Sequence, residues 1–123
     1  MQWSIDSERP VYIQLIEHIQ ANIISGNFKP GDKIPSVRDL AAEAGVNPNT
    51  MQRALAELER MGLIFTNRTS GRYITSDTEV IKKLKERSAM GIIEEFIEKM
   101  KQIGFNEEEI LELLTKTIKE MRK

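Results

Sequence analysis

Two short helical patterns separated by three residues constrain the fold of this chain more than any other feature. Between positions 37 and 58, apolar residues recur at the three- and four-residue spacing of one helix face. The first pattern consists of Val37, Leu40, Ala41 and Ala44, and the second of Met51, Ala54, Leu55 and Leu58. The intervening residues are Gly45, Val46 and Asn47, and a short glycine-containing turn between two helices is the signature of a helix-turn-helix.

The residues at the ends of these two helices agree with that prediction. Ser36 begins the sequence S-V-R-D, which has the spacing of a capping box, with Asp39 in place of the stronger glutamate. Asn47 is suited to cap the next helix, and Pro48 to its first position, where the missing N–H has no intrahelical partner. We therefore predict one helix that begins at Ser36 and ends at Gly45, and a second that begins after Asn47.

The flanking segments complete the order of a winged helix. Pro10 opens a helix that ends at Gly26. Its apolar stripe comprises Tyr12, Leu15, Ile16, Ile19 and Ile23. Before it, Trp3 and Ile5 alternate with polar residues, which predicts a short strand. After the third helix, the runs LIFTN and RYIT surround R-T-S-G and predict a β-hairpin. This order predicts a mainly α fold with a small β wing: a winged helix-turn-helix over residues 1–76.

Residues 77–123 form a predicted helical region of another kind. One helix is predicted from Thr78 to Gln102, and Asn106 caps a last helix with glutamates in its first turn and basic residues at its end. Apolar residues recur along both helices: Ile92, Ile93, Phe96, Ile97, Met100, Ile110, Leu113, Leu114 and Ile118. Two such helices cannot bury this much apolar surface alone, so they pack on the first domain or on a second copy. Because closed two-fold dimers are the commonest soluble oligomers, we predict a dimer interface here.

Composition excludes several classes of protein. The chain has 123 residues, no cysteine, and no apolar run that approaches the roughly 20 residues of a transmembrane helix. Met1–Ser7 lacks the basic start of a signal peptide, so we expect a cytoplasmic protein with no membrane partner. The net charge of −1 argues against a protein that coats nucleic acid by bulk charge. The segment from Arg60 to Ser76, however, contains three arginines and no acid, and such a patch is able to bind phosphate.

No enzyme, metal site or cofactor is predicted. His18 is the only histidine, and no carboxylate or cysteine has metal-ligand spacing to it, so we interpret it as a surface residue of a helix. Glu107–Glu109 are interpreted as favourable charge at a helix N-terminus rather than as a metal cluster. The sequence contains no nucleophile–base pair and no phosphate-binding loop.

The helix that follows Asn47 has a distinctive polar face. Asn49, Gln52, Arg53 and Arg60 lie opposite its apolar stripe, where a solvated face would usually carry Glu and Lys pairs. Amides and arginine can bond to base edges bidentately, and N-terminal amides and hydroxyls suit phosphate. The residues alone leave two interpretations open: a nucleic-acid-binding face, or the solvated face of a winged helix that binds protein.

Three motifs in the first 46 residues resemble those of a known family. P-x-Y-x-Q stands at Pro10–Gln14, G-V at Gly45-Val46, and G-x-x-L-P-S-x-R-x-L-A at Gly31–Ala41, where isoleucine occupies the leucine position before the proline. With these motifs the chain resembles, over residues 10–75, the DNA-binding domain of GntR-type bacterial transcription regulators. The sequence N-P-N-T-M-Q-R at 47–53, followed by a short two-helix tail, is similar to the YtrA subgroup, in which the tail is a dimerisation element.

The chain departs from the wider family at two positions. Most members have an arginine where Pro48 stands, so contacts of that arginine do not transfer to this chain. The family wing usually reads R-G-x-G, whereas this one reads R-T-S-G, with Thr69 in place of the first glycine.

The resemblance implies a sequence-specific DNA-binding transcription regulator, with repression as the usual mode. Together with the polar face, it predicts a DNA surface formed by Ser36, Arg38, Asn47, Asn49, Thr50, Gln52, Arg53, Arg68, Gly71 and Arg72. A homodimer would bind double-stranded DNA at an inverted-repeat operator, with half-sites about one helical turn or a multiple apart. Two alternatives stay open: a winged-helix protein-binding module, and a small-molecule-sensing regulator with its ligand at the dimer interface.

Overall fold

Five helices and a two-stranded antiparallel sheet form the protein in the computed structural model, which describes residues 2–123. Met1, the first residue of the predicted N-terminal domain, lies outside the described residues. In chain order the elements are α1 (Val11–Ile24), α2 (Val37–Ala44), α3 (Pro48–Arg60), β1 (Ile64–Asn67), β2 (Gly71–Ile74), α4 (Thr78–Gln102) and α5 (Glu107–Met121). This order confirms the predicted winged helix-turn-helix followed by C-terminal helices.

The apolar stripes predicted for α1, α2 and α3 supply the core of the winged helix. Its largest fully buried side chains are Leu15, Ile19, Leu40, Met51, Leu55, Leu58, Leu63, Ile64 and Ile74. Because α1 and α2 both pack on α3, the buried side of α3 is fully occupied, and its polar side is left at the surface. Core packing therefore determines which face of α3 is available for binding.

The turn between α2 and α3 depends on glycine. Gly45 has a φ of 71°, a left-handed conformation that side chains with a Cβ rarely adopt, and it ends α2. The Val46 N–H then donates to the Ala41 carbonyl at 3.0 Å, which closes the helix end. Asn47 follows at once as the cap of α3, so two residues separate the end of one helix from the cap of the next.

The two strands of the wing are joined by a third segment, the loop before α2, which the sequence pattern did not reveal. β1 pairs with β2 in the register Ile64 with Ile74 and Asn67 with Gly71. On the other edge of β2, the Ile34 N–H donates to the Arg72 carbonyl at 3.0 Å, and the Ile74 N–H donates to the Asp32 carbonyl at 2.8 Å. The loop before α2 is thereby tied to the wing.

The strand predicted at Trp3 and Ile5 does not form. Instead, the Gln14 side chain of α1 binds the backbone of the preceding segment: its Oε1 accepts from the Asp6 N–H, and its Nε2 donates to the Asp6 and Arg9 carbonyls, each at 2.9 Å. Gln14 is buried, so these bonds satisfy its carboxamide. The side chain of Gln14 thus binds backbone groups of Asp6 and Arg9, and among residues 2–123 no strand pairs with this segment.

His18 lies on α1, but it is less exposed than the sequence suggested. The indole of Trp3 stacks on its imidazole with ring centroids 4.1 Å apart and planes inclined by 23°, which leaves His18 half-buried. Burial lowers the pKa of His18 below its usual value, because the charged form loses hydration; the carboxylate of Glu43 opposes this shift.

The chain divides into two compact units, Met1–Lys85 and Glu86–Lys123, whereas the sequence prediction divided it between residues 76 and 77. The first unit extends into α4 because Leu84 is buried and Val80 and Ile81 pack against the winged-helix core. The first turns of α4 thus complete the first unit.

In the second unit, a full capping box starts α5. The Glu109 N–H donates to Asn106 Oδ1 at 2.9 Å, and the Asn106 N–H donates to Glu109 Oε1 at 3.1 Å. Lys101 also forms an ion pair with Glu107 across the turn. Over residues 2–123, the structure contains no helix with the length and apolar character needed to cross a membrane.

Candidate nucleic-acid interface

The N-terminal end of α3 presents polar groups without any acid. Asn47, Asn49 and Gln52 are exposed, and Thr50 is half-buried. The first turn of the helix carries no acidic residue, so the partial positive charge of the helix N-terminus is not neutralised there. Asn47 accepts the Asn49 N–H at its Oδ1 (2.7 Å), which leaves the Asn47 amide nitrogen as the group available to a ligand.

Two adjacent residues of α3 contact different elements of the first unit. Gln52 and Arg53 are consecutive, and consecutive helical residues project about 100° apart. Gln52 faces the wing, where its Oε1 accepts a hydrogen bond from Arg72 Nη2 at 3.3 Å. Arg53 faces α1, where its guanidinium lies 3.6 Å from the centre of the Tyr12 ring.

Tyr12 is a residue that the sequence analysis assigned only to an apolar stripe. Its ring is half-buried and supports the Arg53 guanidinium in a cation–π contact. The contact crosses from the first turn of α1 to the second turn of α3, and no sequence spacing indicates it. The P-x-Y-x-Q motif thus carries two structural roles here, because Tyr12 supports Arg53 and Gln14 holds the N-terminal segment.

Helix α2 contributes Ser36 and Arg38 to the same unit. The Ser36 hydroxyl oxygen accepts the Asp39 N–H at 3.1 Å, as the capping pattern predicted, so only its own hydrogen remains to be donated. Arg38 is exposed, and within residues 2–123 its guanidinium forms no ion pair with Asp39 or any other carboxylate. Its charge is therefore available to a partner.

The tip of the wing is a turn held by Asn67. Its Oδ1 accepts both the N–H and the hydroxyl of Thr69, at 3.0 and 2.8 Å. Arg68 is exposed at this tip, and Gly71 ends it with a φ of +118°. Thr69 therefore takes part in the turn through its side chain, which a glycine at this position could not do.

Lys33 is a basic residue of the wing that the sequence analysis missed. Its side chain crosses Gly71 so closely that a Cβ on Gly71 would lie 3.1 Å from Lys33 Cε. The backbone of Lys33 also forms a bridge with Tyr73, which brings the loop before α2 to the edge of β2. The only sequence signal was a lysine in a turn-forming stretch, so its place could be recognised only from the tertiary structure.

Arg60 contributes less positive charge to the surface than its place in the acid-free segment suggested. Its guanidinium forms an ion pair with Glu57, one turn earlier in α3. Hydrogen bonding from Arg60 lowers the pKa of Glu57, and the neighbouring Arg53 acts in the same direction. By contrast, Lys33, Arg38 and Arg68 form no ion pair with any residue in the described range 2–123.

In the second unit, six of the nine predicted interface residues line an open apolar groove of about 570 Å³ between the second half of α4 and α5. Its walls are formed by Ile92, Ile93, Phe96, Ile97, Glu107, Ile110, Leu111 and Leu114. Ile110 is 5% exposed and forms the covered floor, whereas Ile92 is 69% exposed. Met100 is half-buried, and Leu113 and Ile118 are exposed without lining the groove. The described residues contain no cluster of side chains able to hold a metal ion.

Residues 11–74 match the model of the family described as "Bacterial regulatory proteins, gntR family". This match covers the α1–β2 region that carries the polar α3 face and the wing. The chain belongs to the gntR family.

Relatives within the gntR family match both the winged helix and the tail. The structure of a GntR family transcriptional regulator from Listeria monocytogenes has a TM-score of 0.84 and 40% identity, over 91% of this chain and 98% of that one. The HTH-type transcriptional repressor YtrA of Bacillus subtilis is 45% identical over 73 residues, 59% of this chain and 56% of that protein. Similarity to YtrA-type regulators confirms the predicted subgroup.

A structure of a related domain contains DNA. The crystal structure of AraR(DBD) in complex with operator ORE1 has a TM-score of 0.53 and 30% identity, over 61% of this chain and 94% of that one. This gntR-family protein is accordingly a DNA-binding transcription regulator, and its homologues are regulators rather than enzymes.

Proposed function

We propose that this protein is a cytoplasmic transcriptional repressor that binds an inverted-repeat operator as a homodimer. Helix α3 enters the major groove, and the wing lies on the adjacent phosphate backbone. The observation that carries the proposal is the hydrogen bond between Gln52 and Arg72, because it joins the exposed end of α3 to the wing. Residues 44–56 and 61–76 contain no acid, so the joined surface does not repel phosphate.

The side chains on this surface divide by chemistry. Asn49, Gln52 and Arg53 are proposed to read bases, because their amide and guanidinium groups match base edges in the major groove. The other proposed contacts are to phosphate and come from Ser36, Arg38, Asn47, Thr50, Lys33, Arg68 and Arg72. Gly71 leaves space at the wing, where Lys33 already crosses it.

Repression is proposed by comparison with a relative and from the proposed dimer. The relative YtrA of Bacillus subtilis is named a repressor. A dimer that covers a promoter needs no further activity. Repression would follow from the occupancy of the operator alone.

The homodimer is supported by the apolar surface of the second unit. Ile92, Ile103 and Leu111 are each 65–70% exposed, and Met121 is 79% exposed. Ile92 and Leu111 line the same apolar groove, and exposed apolar surface of this kind marks an interaction site. A second copy presents the same surface, and two-fold symmetry then directs two α3 helices to one face of the duplex, which requires an operator with dyad symmetry.

A small apolar effector is the second candidate for the same groove. Its volume of about 570 Å³ falls within the range of ligand pockets, and its lining is apolar apart from Glu107. A ligand there would change the contacts between the tails and thereby the spacing of the two α3 helices. A thermal-shift screen of apolar amines and neutral apolar molecules would separate this candidate from a groove that is filled by the partner chain.

A salt titration on duplex DNA tests the proposed function. We expect steep weakening with salt, and a slope reduced by roughly one unit for each of Lys33→Ala and Arg68→Ala. Lys116→Ala, a cation exposed on α5, is the matched control and should leave the slope unchanged. Binding without salt dependence, or no binding to any duplex, would favour the protein-binding alternative.

A further inference from the structure

We propose that Thr69 is a positioning residue for Arg68, because it holds the tip of the wing (residues 67–70) in its binding shape before the protein meets DNA. This inference rests on the proposed function, which assigns a phosphate contact to Arg68. It goes beyond that function by attributing part of the affinity for DNA to a side chain that acts through its neighbour.

Two nested turns enclose Arg68 at the tip. The Asn67 carbonyl accepts the Ser70 N–H at 3.3 Å, which closes a turn over residues 67–70. Within this turn, Asn67 Oδ1 accepts the Thr69 N–H at 3.0 Å, so Arg68 is the middle residue of a smaller turn closed by a side chain. The Thr69 hydroxyl donates to the same oxygen at 2.8 Å. The residues on both sides of Arg68 are therefore bonded to each other.

The far side of the tip is bonded to the strands of the wing. The Tyr73 hydroxyl donates to Ser70 Oγ at 2.9 Å. The Tyr73 ring stacks on that of its cross-strand partner Phe65, with ring centroids 5.7 Å apart. Side-chain contacts thus hold the tip on both of its sides.

The hydrogen-bonding groups of Arg68 and Thr69 are used differently. Arg68 is exposed, and within residues 2–123 its guanidinium forms no ion pair, so its N–H donors are available to a phosphate. A hydroxyl has a single hydrogen, and that of Thr69 is already donated to Asn67. Because an ionised phosphate oxygen only accepts hydrogen bonds, the Thr69 hydroxyl offers it nothing while this bond is intact. Its contribution is therefore to the shape of the tip.

Threonine at position 69 makes the tip stiffer than glycine would. Among residues 2–123 only glycines have a positive φ, so Thr69 occupies its place without strain, and the backbone does not require the first glycine of the R-G-x-G pattern. Glycine would add backbone freedom to the unbound tip, and binding would have to remove that freedom. Thr69 lowers this ordering cost through its Cβ and its hydroxyl, without any additional phosphate contact.

Salt titration of the full-length chain on a duplex of random sequence separates positioning from contact. Arg68→Ala should lower both the affinity and the salt slope, because it removes a phosphate contact. Thr69→Val keeps the shape of the side chain but has no hydroxyl. It should lower the affinity by about threefold for each bound wing and leave the slope unchanged. Thr69→Gly also frees the backbone and should lower the affinity by about tenfold for each bound wing.

Two controls accompany these variants. Thr69→Ser retains the hydroxyl and should bind more tightly than Thr69→Val. Thr115→Val removes from α5 a hydroxyl that donates to the Leu111 carbonyl at 2.8 Å, and it should leave the affinity unchanged. Thr69 is exposed, so its variants should unfold at the temperature of the unaltered protein.

A double-mutant cycle identifies the residue through which Thr69 acts. If Thr69 positions Arg68, Thr69→Val should have no effect on affinity in a chain that already carries Arg68→Ala. An equal loss in both backgrounds would mean that Thr69 acts independently of Arg68, and it would overturn the inference.

The outcomes separate this inference from the proposed function. If Arg68→Ala weakens binding while Thr69→Val and Thr69→Gly bind as tightly as the unaltered protein, the inference is wrong and the proposed function stands. If Arg68→Ala leaves both affinity and slope unchanged, the wing does not contact the phosphate backbone through this residue. That part of the proposed function then fails, and the inference fails with it.

Discussion

The two units of this protein treat apolar residues in opposite ways. In Met1–Lys85, the apolar stripes of three helices and the sheet are buried, and the exposed surface of α3 is polar. In Glu86–Lys123, Ile110 is the buried apolar residue, while Ile92, Leu111 and Met121 are mostly exposed. The first unit buries its apolar residues in a core of its own, whereas the second leaves most of its apolar residues exposed. An amphipathic helix therefore contributes to a core only where another layer of helices or strands packs on its apolar face.

Removal of the second unit should have the largest effect. A chain that ends at Lys85 keeps Leu84 in the core, so it should fold as a monomer. Its affinity for a full operator should fall by about 10²–10⁴-fold, because the second half-site no longer binds within one molecule. Sedimentation and binding of both chains, with and without operator, measure this.

A chain that ends at Ser76 is the informative control, because it also removes Val80, Ile81 and Leu84 from the core. It should unfold at lower temperature than the chain that ends at Lys85. Equal stability of the two shortened chains would contradict the assignment of the start of α4 to the first unit. A full-length chain that is monomeric at micromolar concentration would contradict dimerisation through the second unit.

Matched leucine substitutions should show the same contrast in stability. Leu55→Ala creates a cavity in the first unit and should lower the free energy of unfolding by about 2–5 kcal/mol. Leu111→Ala removes a side chain that is 65% exposed, so in dilute, monomeric protein it should change stability by no more than about 0.5 kcal/mol. Denaturant unfolding at several protein concentrations checks both, and Leu111→Ala should weaken the concentration dependence. A large loss at all concentrations would mean that Leu111 belongs to a core.

DNA binding by the polar surface of the first unit should depend on Arg53 and, to a smaller extent, on Tyr12, whose ring lies under the Arg53 guanidinium. Arg53→Ala should weaken specific binding by roughly 1–3 kcal/mol and relax one position in each half-site. Tyr12→Leu leaves the arginine but removes the ring beneath it, so the loss should be smaller, about 0.5–1 kcal/mol. Competition against single-base operator variants distinguishes the roles. A loss that is equal for every sequence would make Arg53 a phosphate contact.

The smallest expected effect is a pH dependence within the first unit. Burial under Trp3 lowers the pKa of folded His18, so between the folded and unfolded values the unfolded chain binds more protons. This stabilisation should be fully present above the unfolded pKa of about 6.5 and should be lost as the pH falls from that value through the lower pKa of the folded state. Denaturant unfolding of the protein and of His18→Gln, followed by Trp3 fluorescence, checks this. An identical pH dependence in the two would assign it to other groups.

Sequence reasoning succeeded where the determinants are local. The predicted caps at Ser36, Asn47 and Asn106 each accept the expected backbone N–H, and Gly45 ends α2 in the left-handed conformation. The hairpin around R-T-S-G also formed. These features depend on residues within a few positions of one another, so they can be predicted without knowledge of the tertiary structure.

Sequence reasoning failed where partners are distant in the chain. The strand predicted at Trp3 and Ile5 did not form, and the segment is instead held at Asp6 by the side chain of Gln14, eight residues later. Lys33 was overlooked at the wing, since its neighbour Gly71 lies 38 residues later. The sequence also gave no sign that Leu84 belongs to the first core rather than to the tail.

The sequence by itself determined the order of elements, their ends and the polar character of α3, because periodicity and capping act over one or two helical turns. Only the tertiary structure decided that Gln52 joins the wing while Arg53 joins α1, although the two are adjacent in the chain. The physical reason is geometric. A rotation of about 100° per residue directs neighbouring side chains to different elements, and which elements stand there depends on how the core is packed.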